Sequence, residues 1–196
     1  MPSLLQSPHG SIALVELPED ELDAALARLP AGERARAAEL SPIRRHDFVA
    51  GRTALHAVVG AVEVTISDRN APLVAGWTCS ISHKGTRAAA IAAPEGNGFV
   101  GIDLELAAAP KLDITKRVIT EREPRVTGAE LIRVFAIKEA IYKAIDPIVR
   151  RYVGFLEVEL IDGAVVSEMP VAVETWSIER DGHWLATARA RPLAGR

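Results

Sequence analysis

Cysteine is nearly absent from this chain. Cys79 stands alone, so no internal disulfide can form, and the chain fits a reducing compartment. An excess of basic residues is also missing. The formal charge is −3, which argues against generic nucleic-acid binding through the phosphate backbone. The opening residues MPSLLQSPHG lack a basic segment followed by an apolar run, so no signal peptide is expected. The longest weakly polar stretch, Ala54 to Ile66, is interrupted by His56 and Glu63 and is too short to cross a bilayer. A cytoplasmic protein without membrane or nucleic-acid partners is the expectation. There is no P-loop, no Rossmann glycine fingerprint and no Ser-His-Asp set in a recognisable context.

What is present is a globular composition. Of 196 residues, 48% are hydrophobic and 25% charged, enough apolar side chains for a real core in one large domain or two small ones. Residues 10–17 alternate as a strand. Leu22, Ala25, Leu26 and Leu29 then recur at helical spacing, and Pro30-Ala31-Gly32 divides that region into two helices. Ser41-Pro42 opens a further helix, which Gly60 ends after Val59. The irregular SDRNAPLVAG leads to two strands joined by a turn at Lys84-Gly85. Phe99 to Leu106, FVGIDLEL, is another strand. A loop with one short helix follows, then the clearest helix of the chain, ELIRVFAIKEAIYKAI, which Pro147 is expected to stop. Residues 153–191 alternate as three or four strands.

An internal echo divides the chain. SISHKGTRAAAIAA at 80–93 and SIERDGHWLATARA at 177–190 share Ser-Ile, a polar turn with glycine in sixth place and an apolar return strand. A helix precedes each at comparable distance. The echo predicts two similar halves, 1–98 and 99–196.

Chemistry concentrates in the second half. Alternation along FVGIDLEL puts Asp103 and Glu105 on one face and Ile102, Leu104 and Leu106 on the other, towards the core. Two adjacent carboxylates resist joint ionisation unless a cation separates them, and oxygen-only ligands suit Mg²⁺ or Mn²⁺. A solvated face paired to surface lysines explains an isolated pair equally well. The following helix carries a buried stripe of Val134, Ile137, Ile141, Ala144 and Ile145, with Lys138 at its edge, where a lysine needs a partner. Phe135, Glu139 and Tyr142 lie on the adjoining flank, with Lys143 just beyond. Glu139 and Lys143 are either a helix-stabilising i,i+4 pair or a flank facing an anionic ligand. Three carboxylates beside lysines suit a phosphate or pyrophosphate.

In the first half, Arg44, Arg45 and Arg52 share one flank of the Pro42 helix, as a solvated face or as a clamp for a second phosphate. His83, beside Ser82 at a strand end, is either structural or a donor to that phosphate.

GIDLE at 101–105 followed by FAIKEAIYKA at 135–144 resembles the signature pair of the 4′-phosphopantetheinyl transferase superfamily. RRHDFVAGR at 44–52 and SISH at 80–83 resemble two further segments of its larger, single-chain type, which activates siderophore, polyketide and nonribosomal peptide synthetases. With VRRYVGF after the helix, the likeness spans residues 44–155. It implies an α+β fold of two similar halves related by pseudo-twofold symmetry, with antiparallel sheets and an active site in the cleft between them, in a monomer. It implies Mg-dependent transfer of the phosphopantetheine arm of coenzyme A to a serine of an apo acyl or peptidyl carrier protein, releasing 3′,5′-ADP.

By position, Asp103, Glu105 and Glu139 match the Mg²⁺ ligands, and Glu139 is also the leading acceptor of the serine proton. Lys138 and Lys143 match residues that contact the phosphates. Arg44, Arg52 and His83 match contacts to the 3′-phosphate region of coenzyme A, with Ser82 lining the pocket, which makes the first half the 3′-phosphate side. Arg69 stands where relatives carry a lysine, in a loop that departs from their pattern at Pro72 and Trp77. The 106–130 segment, which in relatives helps receive the carrier, is shorter, and Phe135 replaces a common tryptophan. A Mg-dependent nucleotide pyrophosphate hydrolase and a non-catalytic coenzyme A- or synthetase-binding protein are the competing expectations.

Overall fold

The computed structural model describes residues 2–193. The chain divides into two compact units, with the boundary after Gly96. Each unit is a small antiparallel sheet under one long helix. Among the described residues, no helix is long and apolar enough to cross a membrane.

The first unit opens with a hairpin of β1 (Ser3–Ser7) and β2 (Gly10–Glu16). Only the second of these strands is legible in the sequence. Short helices α1 (Leu22–Arg28) and α2 (Ala31–Ala38) are separated at Pro30, as predicted. Helix α3 (Pro42–Val59) starts with proline in its first turn and ends at Gly60, whose φ of 82° suits glycine. The irregular stretch forms the tiny pair β3 (Thr65–Ile66) and β4 (Pro72–Leu73). The predicted hairpin is β5 (Trp77–Lys84) and β6 (Arg87–Pro94). The main sheet has the order β1-β2-β6-β5, and α3 packs across β2, β6 and β5. Its core joins Val49, Ala50, Ala54 and Leu55 of the helix to Ala13, Val15, Ala88, Ala90 and Ala92 of the sheet.

The second unit comprises β7 (Phe99–Leu106), the single turn α4 (Thr115–Val118), α5 (Gly128–Val149), β8 (Glu159–Ile161), β9 (Ala164–Val166), β10 (Val171–Arg180) and β11 (His183–Pro192). β10 and β11 meet at Asp181-Gly182, both with positive φ (50° and 71°), the backbone a two-residue hairpin turn requires. The main sheet has the order β10-β11-β7. The run strand, long helix, hairpin thus pairs alike in both units: β2-β6-β5 in the first, β7-β11-β10 in the second.

Pro147 does not stop α5, which runs on to Val149. The ring costs the helix one donor in its last turn, but the Arg150 N–H still bonds the Asp146 carbonyl at 2.9 Å. The helix ends instead at Arg150, in a left-handed conformation.

The acid-bearing face of β7 is not the open one. Gly101 pairs with Ala188 and Asp103 with Ala186, and directly opposed residues share a face. Those alanines pack with Ala136, Ala140 and Ala144 of α5 in one core cluster. The face carrying Gly101, Asp103 and Glu105 therefore lies beneath α5. Val100, Ile102 and Leu104, on the other face, are buried as well, whereas Leu106 at the strand end is exposed.

Candidate active site

The second unit brings Asp103, Glu139 and Lys143 together through one close contact. A Cβ on Gly101 would sit 2.0 Å from the Ala140 carbonyl oxygen and 2.8 Å from the Ala144 nitrogen. Glycine therefore lets the α5 backbone rest on β7. Glu139 and Lys143 each immediately precede one of those two alanines, so the same contact carries them to Asp103 and Glu105.

The local interactions follow from that placement. Lys143 Nζ donates to Asp103 Oδ1 at 2.7 Å and to the Ile102 carbonyl at 2.9 Å. Asp103 is nearly buried, while the Lys143 side chain keeps 27% of its surface open. Glu139 is half-buried. Its carboxyl is pushed above the ordinary glutamate range, first by burial, then by the negative charge of Asp103 and, less, of Glu105, while Lys143 pulls it down. Three carboxylates and one ammonium thus share one electrostatic neighbourhood. Their oxygens match what a hard divalent cation takes, and a cation there would relieve the repulsion on Glu139. Among the described residues, no group of three or more His, Cys, Asp or Glu side chains stands in an arrangement that could hold a metal ion.

Lys138 is not part of this group. It is 2% exposed, and its Nζ donates to the Val118 carbonyl (2.6 Å), Glu123 Oε2 (2.8 Å) and the Phe155 carbonyl (3.1 Å). Those three bonds use the full donor set of an ammonium. Burial lowers its pKa, with Glu123 opposing the shift. The lysine at the edge of the apolar stripe does have the partner it needed, but it is an internal carboxylate.

In the first unit, Arg44 is exposed on α3. Arg52, on the same helix, is 5% exposed. Its Nε lies 3.7 Å from Glu33 Oε1, and its guanidinium sits 5.1 Å from the Phe48 ring centroid. Burial lowers its pKa against the pull of Glu33. His56 Nε2 reaches the other oxygen of Glu33 at 2.8 Å, and that bond raises the His56 pKa. Ser82 is buried near the end of β5, and His83 beside it is exposed, with Nδ1 3.5 Å from Asp47 Oδ1 of α3. Arg69 is half-buried in the turn between β3 and β4, where its N–H donates to Ser67 Oγ.

Three acids escaped the sequence: Glu123, Glu33 and Asp47, the partners of Lys138, Arg52 and His83. Lys138 on an apolar stripe signalled that some acid must answer it, but not which. Gly101 was legible only as a letter of a motif; its role depends on the helix that crosses it.

Residues 99–189 match the family model described as the 4′-phosphopantetheinyl transferase superfamily. No curated protein matches the chain.

Proposed function

We infer that this chain, whose residues 99–189 belong to the 4′-phosphopantetheinyl transferase superfamily, transfers the phosphopantetheine arm of coenzyme A to a serine of an apo carrier protein. The observation that carries the inference is the meeting of Asp103, Glu139 and Lys143 inside the matched segment. The larger, single-chain type fits a chain in which two units repeat one pairing order.

Asp103, Glu105 and Glu139 are the residues proposed to hold Mg²⁺, with Mn²⁺ as the alternative ion. When bound, the ion supplies positive charge to the pyrophosphate and to the departing 3′,5′-ADP. Lys143, partly open to solvent, can turn an N–H from Asp103 towards a phosphate oxygen. Glu139 is the candidate acceptor of the serine proton. Its raised pKa makes its ionised form a better base than an ordinary glutamate. Arg44, Arg69, Ser82 and His83 are proposed for the 3′-phosphate side of coenzyme A. Arg52 joins them by way of α3, where Glu33 and Phe48 hold its guanidinium.

Intact-mass measurement of an apo carrier protein incubated with the chain, coenzyme A and Mg²⁺ tests the proposal. The expected outcome is a gain of one phosphopantetheine, lost with EDTA and lost in Asp103→Ala. Hydrolysis of coenzyme A with no gain on any carrier would point to a pyrophosphate hydrolase. Binding of coenzyme A with neither outcome would point to a non-catalytic binder.

A further inference from the structure

The side of α5 turned away from Glu139 borders a cavity that the proposed transfer does not use. It measures about 430 Å³, within the roughly 300–1,000 Å³ of small-molecule sites. Glu130, Arg133, Val134 and Ile137 line it from the helix, at i, i+3, i+4 and i+7. Ile137 and Glu139 lie about 200° apart around the helix, so this stripe points away from the carboxylate group. Thr175 and Ser177 line the cavity from β10. Ser177 pairs with Ala186, and Ala186 with Asp103. Ser177 and Asp103 therefore stand in one row on one face of the sheet. They are two strand spacings, or roughly 10 Å, apart, and the fully buried Ala186 lies between them.

The walls combine three chemistries. Ile119, Val134, Ile137 and Leu160 supply an apolar surface. Arg133 is held at three points. Its Nε and Nη2 both donate to Glu130 Oε1, the first at 2.7 Å. Its Nη1 donates to Ser177 Oγ at 3.3 Å, and its guanidinium lies 5.9 Å from the Trp184 ring centroid. Trp184 is fixed in turn by a 2.9 Å bond from Nε1 to the Ala129 carbonyl. A guanidinium has five N–H bonds, and these contacts take three. One N–H remains on each terminal nitrogen, a pair suited to a carboxylate. Asp162, at the turn between β8 and β9, adds a carboxylate that makes no hydrogen bond or ion pair among the described residues.

Glu123 also borders the cavity, but its oxygens are spent on Lys138 and on the Thr120 and Leu160 N–H groups. One arginine therefore faces two available acids, Glu130 and Asp162. A bare carboxylate would meet an excess of negative charge, and a bare amine would leave the arginine pair unmade. A molecule that carries both charges on one carbon answers both, and its apolar substituent matches the remaining wall.

We propose that this cavity is a binding site for a free α-amino acid with an apolar side chain. Arg133 takes the carboxylate, Glu130 and Asp162 the ammonium, and Val134, Ile137 and Leu160 the side chain. The site is separate from the group formed by Asp103, Glu139 and Lys143.

Calorimetric titration of the full chain tests this, with L-leucine and L-phenylalanine as probes. One saturable site is expected for at least one of them. The analogue 4-methylpentanoate keeps leucine's carboxylate and side chain, and 3-methylbutylamine keeps its amine and side chain. Each should bind about tenfold more weakly than leucine, for want of one charge-assisted contact. Arg133→Gln should weaken amino-acid binding likewise and leave the Kd for coenzyme A unchanged. Glu130 is 42% open to solvent, so that substitution strands no buried charge.

No saturable heat from either amino acid up to about 10 mM would overturn the proposal. So would an analogue that binds as tightly as leucine, since one charge would then suffice. Binding unaltered in Arg133→Gln would put the amino acid elsewhere, and a weakened coenzyme A Kd in that variant would merge the cavity with the transfer site; either result overturns it. A wild type that binds no coenzyme A defeats the function proposed above, and the amino-acid titrations still decide the cavity.

Discussion

Lys138 and Lys143 sit five residues apart on one helix, and the family resemblance assigns both to phosphate. The structure gives them opposite surroundings. Lys143 keeps an open flank and faces an acid on β7. Lys138 is sealed, and its donors are spent on a carboxylate and two carbonyls of the same unit. Five residues turn an α-helix through about 500°, so the two side chains point some 140° apart. Neighbouring positions in a motif can therefore have wholly different surroundings, one open beside an acid and one sealed by its partners.

The largest effect expected from this contrast is on stability. Lys138→Met strands Glu123 as a buried, unpaired charge and should cost about 3–5 kcal/mol. Lys143→Met, beside a more open pair, should cost about 1–2 kcal/mol and damage transfer more than folding. Denaturant titration of the two variants decides the matter, and equal losses would abolish the distinction.

Next in size is Gly101→Ala. Its Cβ collides with backbone at 2.0 Å, so α5 must lift from β7 at a cost of about 1–3 kcal/mol. The shift separates Glu139 and Lys143 from Asp103. Transfer should therefore fall by more than stability does, while amide protection at 118–124 persists. Loss of that protection would mean that the two flanks are not independent.

The smallest effect is a gain. Burial and the charges of Asp103 and Glu105 raise the Glu139 pKa above its ordinary 4.5. The folded state therefore binds this proton more readily than the unfolded one. The protonated group's stabilising contribution is complete at low pH and is lost as pH rises through the raised folded value. Glu139→Gln removes that loss. The metal-free variant should melt higher than wild type at pH 7–8, with the difference closing towards pH 4.5. Added Mg²⁺ should raise the melting temperature of the wild type and not of the variant.

Much of the fold was legible because its signals are local. Apolar spacing marked α5, Pro30 separated α1 from α2, Gly60 ended α3, and glycine marked both long hairpins. β1 was missed because SLLQS is too short to show a period, and it exists through pairing with β2. Pro147 misled because a proline in a final turn removes a single bond, which the neighbouring bond to Arg150 outlasts. Within the site, alternation correctly put Asp103 and Glu105 on one face of β7. It could not say which face α5 would cover, since that is decided by Gly101 and by alanines of β11, remote from it in sequence. The partners of Lys138, Arg52 and His83 were hidden for the same reason.

The seam between α5 and its sheet has a further consequence. Ala136, Ala140 and Ala144 meet Ala186, Ala188 and Ala190, with Gly101 between them, and all six alanines are fully buried. None of these side chains has a rotamer to freeze, so docking the helix incurs almost no side-chain entropy loss. The same seam is intolerant in one direction. Nearly every substitution there adds atoms where backbones already touch, so the chain can vary around Asp103 and Glu139 far more freely than along the alanines that hold them in place.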